Sequence, residues 1–275
     1  MRTVAITGAA SGIGAATAAR LAEHGHRVIG VDLHDADVEA DLGTPEGRAH
    51  AIAAVTELCD GKLDGLVTCA GLAGLPKRPA SLLVSVNYFG TVELLSGLRE
   101  ALAAGEEPAA VALSSNATTT QPAIPMALVE ACLTGDETAA RALAGEGESL
   151  STYAVTKLAL ARWVRRHAPT AEWAGTNIRL NAVAPGATQT PLLQEGLDDP
   201  FVGPLIEGFT VPIGRRGRPE EIAALIEFLL GPDARFFCGS VVFCDGGTDA
   251  MLRADDVPPP WQPVTPRSGS PARAR

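Results

Sequence analysis

A chain of 275 residues that is 46% apolar is long enough to bury a core and too apolar to stay unfolded. Its 22 basic and 32 acidic residues give a formal net charge of −10, which argues against a nucleic-acid binder, and no apolar run is long enough to cross a membrane. Five scattered cysteines without a CxxC pair argue against a disulfide framework and a metal site, and are expected to be small buried residues. The start, Met1-Arg2-Thr3 running into Val4-Ala5-Ile6, carries no signal-peptide pattern, so a cytoplasmic protein is expected.

In chain order, residues 4–7 predict a buried strand and 12–24 a helix closed by Gly25. A strand follows at 27–32. Residues 46–58 predict a helix with Ala49, Ile52, Ala53 and Val55 on one face, and 65–69 a strand. Residues 81–104 read as mostly helical and 109–115 as a strand. Helices at 151–167 and 220–230 then alternate with strands at 177–183 and 240–245. Such alternation predicts an α/β fold: a Rossmann-type, doubly wound parallel sheet of about seven strands with helices on both faces, in one domain over 1–253. Residues 118–150 interrupt the pattern and read as an insertion over the sheet edge, with short helices at 127–133 and 137–143. Residues 254–275, with six prolines from Pro258 to Pro271, are expected to be a disordered tail.

The first strand runs into Thr7-Gly8-Ala9-Ala10-Ser11-Gly12-Ile13-Gly14. Glycines here permit a tight turn and close approach of backbone to a pyrophosphate, and the helix that follows aims free N–H groups and its positive end at the same charge. Asp32, ending the second strand, can accept from adenosine ribose hydroxyls and would repel a 2′-phosphate, which favours NAD over NADP. Tyr153 and Lys157, four apart on a helix, share one face. A free tyrosine has a pKa of about 10, and a neighbouring ammonium is expected to lower it toward a useful base.

These pieces together resemble the short-chain dehydrogenase/reductase family. The matching residues are Thr7-Gly8-(x)3-Gly12-x-Gly14, Asp32, Cys69-Ala70-Gly71, Asn87, Ser114-Ser115, Tyr153-(x)3-Lys157, Pro185-Gly186 with Thr188, and Asp245-Gly246-Gly247, spread over residues 1 to about 250 in the family's order. The resemblance implies that Tyr153 moves the proton, that Lys157 holds the ribose and tunes Tyr153, and that Ser115 polarises the substrate oxygen, with Ser114 competing for that assignment. It implies that Asn87 helps place a water. For the cofactor it implies Gly8, Ser11, Gly12, Ile13 and Gly14 at the phosphates, and Asp32 and Leu33 at the ribose. Asp41 and Leu42 would lie against adenine, Cys69, Ala70 and Gly71 beside the dinucleotide, and Pro185, Gly186 and Thr188 at the nicotinamide. Cys69 departs from the family's usual asparagine, and 38 residues from Ser115 to Tyr153 exceed the usual spacing.

Residues 30–42, 85–90 and 185–193, with the long insertion, resemble the family's hydroxysteroid dehydrogenase/carbonyl reductase branch, which is also similar to coniferyl-alcohol dehydrogenases. This implies NAD-dependent hydride transfer to or from a hydrophobic alcohol or ketone, hydroxysteroid or aromatic. A non-catalytic NAD-binding sensor is the alternative of another class, and the Tyr153–Lys157 pair speaks against it. Residues 190–210, with Leu192, Leu193, Leu197, Phe201, Val202, Leu205, Ile206 and Phe209, read as an apolar substrate lid. The family implies a homo-oligomer.

Overall fold

The computed structural model describes residues 1–145 and 148–256. Seven strands form one wholly parallel sheet: β1 (Thr3–Thr7), β2 (Arg27–Asp32), β3 (Val38–Glu39), β4 (Gly65–Thr68), β5 (Ala109–Leu113), β6 (Arg179–Pro185) and β7 (Val241–Cys244). Their order is β3-β2-β1-β4-β5-β6-β7. The chain winds outward from β1 in one direction and from β4 in the other. The strand order therefore reverses between these two neighbours, where a parallel sheet opens a crevice at its carboxyl edge. Thr7 pairs with Thr68 at that edge.

The helices are α1 (Gly12–Glu23), α2 (Pro45–Leu58), α3 (Ala80–Leu83), α4 (Gly90–Gly97), α5 (Arg99–Ala103), α6 (Ala117–Thr120), α7 (Met126–Thr134), α8 (Glu137–Gly145), α9 (Ser149–His167), α10 (Pro191–Asp198), α11 (Val202–Glu207), α12 (Pro219–Leu230) and α13 (Thr248–Leu252). A π-helical turn, Val84–Phe89, joins α3 to α4. The strand period of two divides the core. Val4, Ile6, Val67, Val111 and Leu113 pack with Leu21 of α1 and Ile222, Ile226 and Leu229 of α12. Ala5, Leu66, Ala110, Ala112 and Ala182 face α2, α4 and α9 on the other side.

The sequence-based reading differs in four places. The two-residue β3 was missed, because Val38–Glu39 is too short to show a period. The predicted helix over 81–104 is broken by the π turn and again at Leu98. The insertion does not lie over a sheet edge: α7 packs on α9, and α8 on α3 and the π turn. Its apolar side chains Leu128, Val129, Cys132, Ala140 and Ala144 extend the helical layer. The cysteines are not uniformly buried. Cys59 and Cys132 are, Cys69 and Cys244 are half-buried, and Cys238 is exposed, all as free thiols. Of the expected tail, residues 257–275 lie outside the described residues, and no described helix is long and apolar enough to cross a membrane.

α8 is held by charge. Arg48 of α2, 1% exposed, places its Nε 2.7 Å from Glu93 of α4 and donates from Nη2 to Glu137 of α8 at 2.5 Å.

Candidate active site

The turn after β1 is built for close approach. A Cβ on Gly14 would stand 2.0 Å from the Gly8 carbonyl oxygen, and one on Gly8 would stand 2.7 Å from the Ala70 nitrogen, so neither position accepts a side chain. Ser11 is the N-cap of α1 in extended conformation, but its side chain caps no N–H. The first turn of α1 thus has no side-chain acceptor, a setting that suits a bound anion. Ile13 packs partly into the core beneath.

Asp32 takes one backbone N–H on each carboxylate oxygen, from Ala10 at 2.9 Å and from Leu33 at 2.7 Å. It therefore stiffens the glycine turn while remaining at the rim, beside an exposed Leu33. Asp41 is exposed, with Oδ1 accepting from Gly43 N at 2.8 Å, whereas Leu42 is a core residue at 6% exposure. A glycine turn packed too closely for side chains, opening a helix whose first turn is uncapped and lying next to an acidic rim, fits a dinucleotide with a free ribose 2′-hydroxyl.

α9 carries the two residues expected to do the chemistry. Tyr153 and Lys157 share its inner face, with Nζ 5.8 Å from the phenol ring centroid. Lys157 is buried and donates to the Leu113 carbonyl at 2.8 Å, which ties α9 to the end of β5. Ser114 donates to the Lys157 carbonyl at 3.0 Å and so is spent on holding the helix. Ser115 is left to face Tyr153, and its hydroxyl is among the influences on the phenol's pKa. Its Oγ also accepts from Ala117 N at 3.1 Å.

Burial raises the Tyr153 pKa, and the bond to Ser115 draws it partly back. The acidification expected from Lys157 does not show, and loss of hydration of the phenolate dominates. Burial also lowers Lys157, to about 8. Cys69, beside it, is pushed up to about 12 by burial and stays a neutral thiol near neutral pH.

Asn87 sits in the π turn, fully buried. Its Oδ1 accepts from Leu72 N at 2.7 Å and its Nδ2 donates to Leu72 O at 3.0 Å. The side chain therefore clamps the backbone that follows Cys69-Ala70-Gly71. A Cβ on Gly71 would lie 3.3 Å from Asn87 Oδ1 and 3.6 Å from Lys157 Nζ, so this glycine is where the two side chains converge. Pro185 ends β6, Gly186 follows it, and Thr188, 5% exposed, donates to the Gly186 carbonyl at 3.0 Å.

Thr7, the first residue of the glycine motif, has a role that the motif did not give: it accepts from Ala70 N at 3.1 Å and locks the two strand ends together. Other contributors carried too little signal to be found by spacing. Gly74 lies in a loop whose sequence suggests nothing, yet a Cβ there would reach 3.0 Å from Tyr153 Cβ and 2.6 Å from Ser149 O. Asn116 donates from its backbone to Pro185 O at 2.9 Å and from Nδ2 to Asp245 at 3.4 Å, which joins the Ser115 loop to the Asp245-Gly246-Gly247 segment.

The family profile described as short chain dehydrogenase matches residues 2–127, and that described as enoyl-(acyl carrier protein) reductase matches residues 110–249. The chain is 46% identical to 3-alpha-hydroxysteroid dehydrogenase/carbonyl reductase of Comamonas testosteroni, over 92% of this chain and 98% of that protein. It is 33% identical to coniferyl-alcohol dehydrogenase of Pseudomonas sp. strain HR199, over 90% and 96% respectively. Its fold is similar to that of the crystal structure of 3-alpha-hydroxysteroid dehydrogenase from Pseudomonas sp. B-0831 complexed with NADH, with a TM-score of 0.89, 50% identity, and coverage of 92% of this chain and 99% of that one.

Proposed function

The chain belongs to the short-chain dehydrogenase/reductase family, and from that premise we propose that it is an NAD-dependent oxidoreductase that interconverts a hydrophobic secondary alcohol, a hydroxysteroid first among the candidates, and its ketone. The observation that carries the reading is the convergence of Tyr153, Lys157 and Ser115 on the crevice that the glycine turn opens. Bound NAD supplies the hydride acceptor, and NADH the donor, at the nicotinamide.

The chain's own residues do the rest. Gly8, Ser11, Gly12, Ile13 and Gly14 would cradle the phosphates, with Asp32 and Leu33 at the ribose and Asp41 at the adenine edge. Leu42, being buried, would support that edge from beneath. Cys69, Ala70, Gly71, Pro185, Gly186 and Thr188 would flank the dinucleotide. Lys157, held by the Leu113 carbonyl, presents its remaining N–H donors to the ribose. Ser115 orients the substrate oxygen toward the Tyr153 hydroxyl, which takes the alcohol proton in oxidation and returns it in reduction. Asn87 positions the floor of this path through Leu72, and a water relay beside it belongs to the same proposal.

Residues 190–210 would form the lid of a single catalytic domain over 1–253. Leu192 on α10, Phe201 in the turn before α11 and Leu205 on α11 are exposed and offer apolar surface to a ring system. A homo-oligomer belongs to the same proposal on the family resemblance, and Phe236, fully exposed, would be available to its interface. Five free thiols suit a reducing compartment such as the cytoplasm.

A panel of hydroxysteroids, aromatic alcohols and sugar alcohols with NAD, followed at the absorbance of the reduced cofactor, tests the reading. Turnover is expected with hydroxysteroids. Turnover confined to coniferyl-type alcohols would move the assignment to the aromatic branch. NADH binding with no turnover of any alcohol or ketone would favour the sensor.

A further inference from the structure

The segment α10–α11 is held to the rest of the protein by little. Among the described residues, the hydrogen bonds of residues 191–207 stay within residues 190–209, with one exception, Arg78. Its Nη2 donates to Glu195 Oε1 at 2.6 Å and its Nη1 to Oε2 at 3.4 Å. Nη1 also donates to the Ala73 carbonyl at 2.7 Å, so the guanidinium is aimed by its own loop before it meets the carboxylate. α10 packs chiefly on α11.

Arg78 belongs to the loop that leads from β4 to α3. That loop touches Tyr153 at Gly74 and approaches Lys157 at Gly71. α10 starts from the opposite wall: Thr190, its N-cap, is the nearest neighbour of Gly12, whose Cβ would stand 3.4 Å away. The Arg78–Glu195 pair therefore joins the Tyr153 side of the crevice to the phosphate side.

We propose that Arg78 and Glu195 are a positioning pair that straps α10 across the mouth of the site, and that exchange of cofactor and product requires this ion pair to open. The proposal rests on the reading of 190–210 as a lid over a dinucleotide site. A bidentate arginine–carboxylate pair fixes one geometry. With the Glu195 side chain 45% exposed, water competes for it and the pair can break and reform on each cycle. The exposed apolar side chains of α10 and α11 then close on substrate only while the strap holds.

The test compares the full-length wild type with Glu195→Gln and with the swap Arg78→Glu/Glu195→Arg. NADH release measured by stopped-flow fluorescence is expected to speed up about 5-fold in Glu195→Gln, with KM for the alcohol raised by a similar factor. The pH profile of turnover should keep its shape and the swap should restore both values. Hydrogen exchange of residues 191–207 in cofactor-free protein is expected to quicken in Glu195→Gln and recover in the swap. That arm tests the strap whether or not NADH binds, so failure of the dinucleotide reading is seen separately, as wild type without NADH affinity. Unchanged exchange in Glu195→Gln, or a swap that restores neither quantity, overturns the proposal.

Discussion

Tyr153 and Lys157 illustrate how burial sets chemistry one residue at a time. The spacing of the two predicts a shared face, and the structure has it. What spacing cannot convey is the dielectric of the surroundings, and burial raises Tyr153 where the cation alone would lower it. Oxidation, which needs the phenolate, should therefore climb steadily as pH rises from about 7 toward 10, while reduction, which needs the phenol, should be flat near neutrality. Initial rates in both directions across that range check this. Lys157 carries a stability cost of the opposite kind. Its pKa falls from 10.5 to about 8, so the folded state binds fewer protons than the unfolded chain between those values. Stability from this group therefore rises with pH across that window, and the penalty is fully present below about pH 8. A shift of that size corresponds to about 3 kcal/mol. Lys157→Met should thus abolish turnover yet raise Tm at pH 7, less so at pH 10, as read by thermal melts at the two values. On the proposed reading, cofactor choice turns on Asp32. Asp32→Ala should weaken NAD binding about 10-fold or more and narrow the preference over NADP, since a charge-assisted bond to a ribose hydroxyl and a repulsion are lost together. Fluorescence titration with both dinucleotides measures it.

At the scale of elements, the strongly periodic segments were legible and the modified ones were not. α9 is long and apolar on one face, and its predicted start at 151 falls two residues after the observed Ser149. The π turn around Asn87 has no composition that distinguishes it from α-helix, because its extra residue is a matter of hydrogen-bond register. The insertion shows the same limit. Its two helices were visible in the pattern, but the docking of α8 is tied to Arg48, a residue far upstream with no outward mark of burial, and that of α7 to apolar contacts with α9. Replacing Arg48 by Met would leave Glu137 and Glu93 facing an apolar side chain. We expect a loss of about 3 kcal/mol in urea unfolding, with faster hydrogen exchange concentrated in residues 137–145. A loss without local change in α8 would show that the pair is not what docks the insertion.

At the scale of the whole molecule, the alternation of elements sufficed for the sheet class and its all-parallel pairing, because both faces had to be covered by helices. The strand order places the crevice between β1 and β4, and the residues gathered there come from five separated stretches of chain: the turn after β1, the loop after β4, the π turn, the end of β5 and α9. Each carried its own local signal. Their convergence follows from topology rather than from any one motif, which is also why the ties made by Thr7, Gly74 and Asn116 were not readable beforehand. The proposed homo-oligomer, with Phe236 at its interface, is expected to elute as an oligomer in size-exclusion chromatography with light scattering, and Phe236→Ser to shift it toward monomer. The claim on which all of this depends is that Tyr153 moves the proton beside a bound dinucleotide. It is tested most directly by measuring steady-state turnover and NADH affinity together in Tyr153→Phe. Turnover is expected to fall about 100-fold or more with NADH affinity unchanged; turnover equal to wild type would show that another group moves the proton.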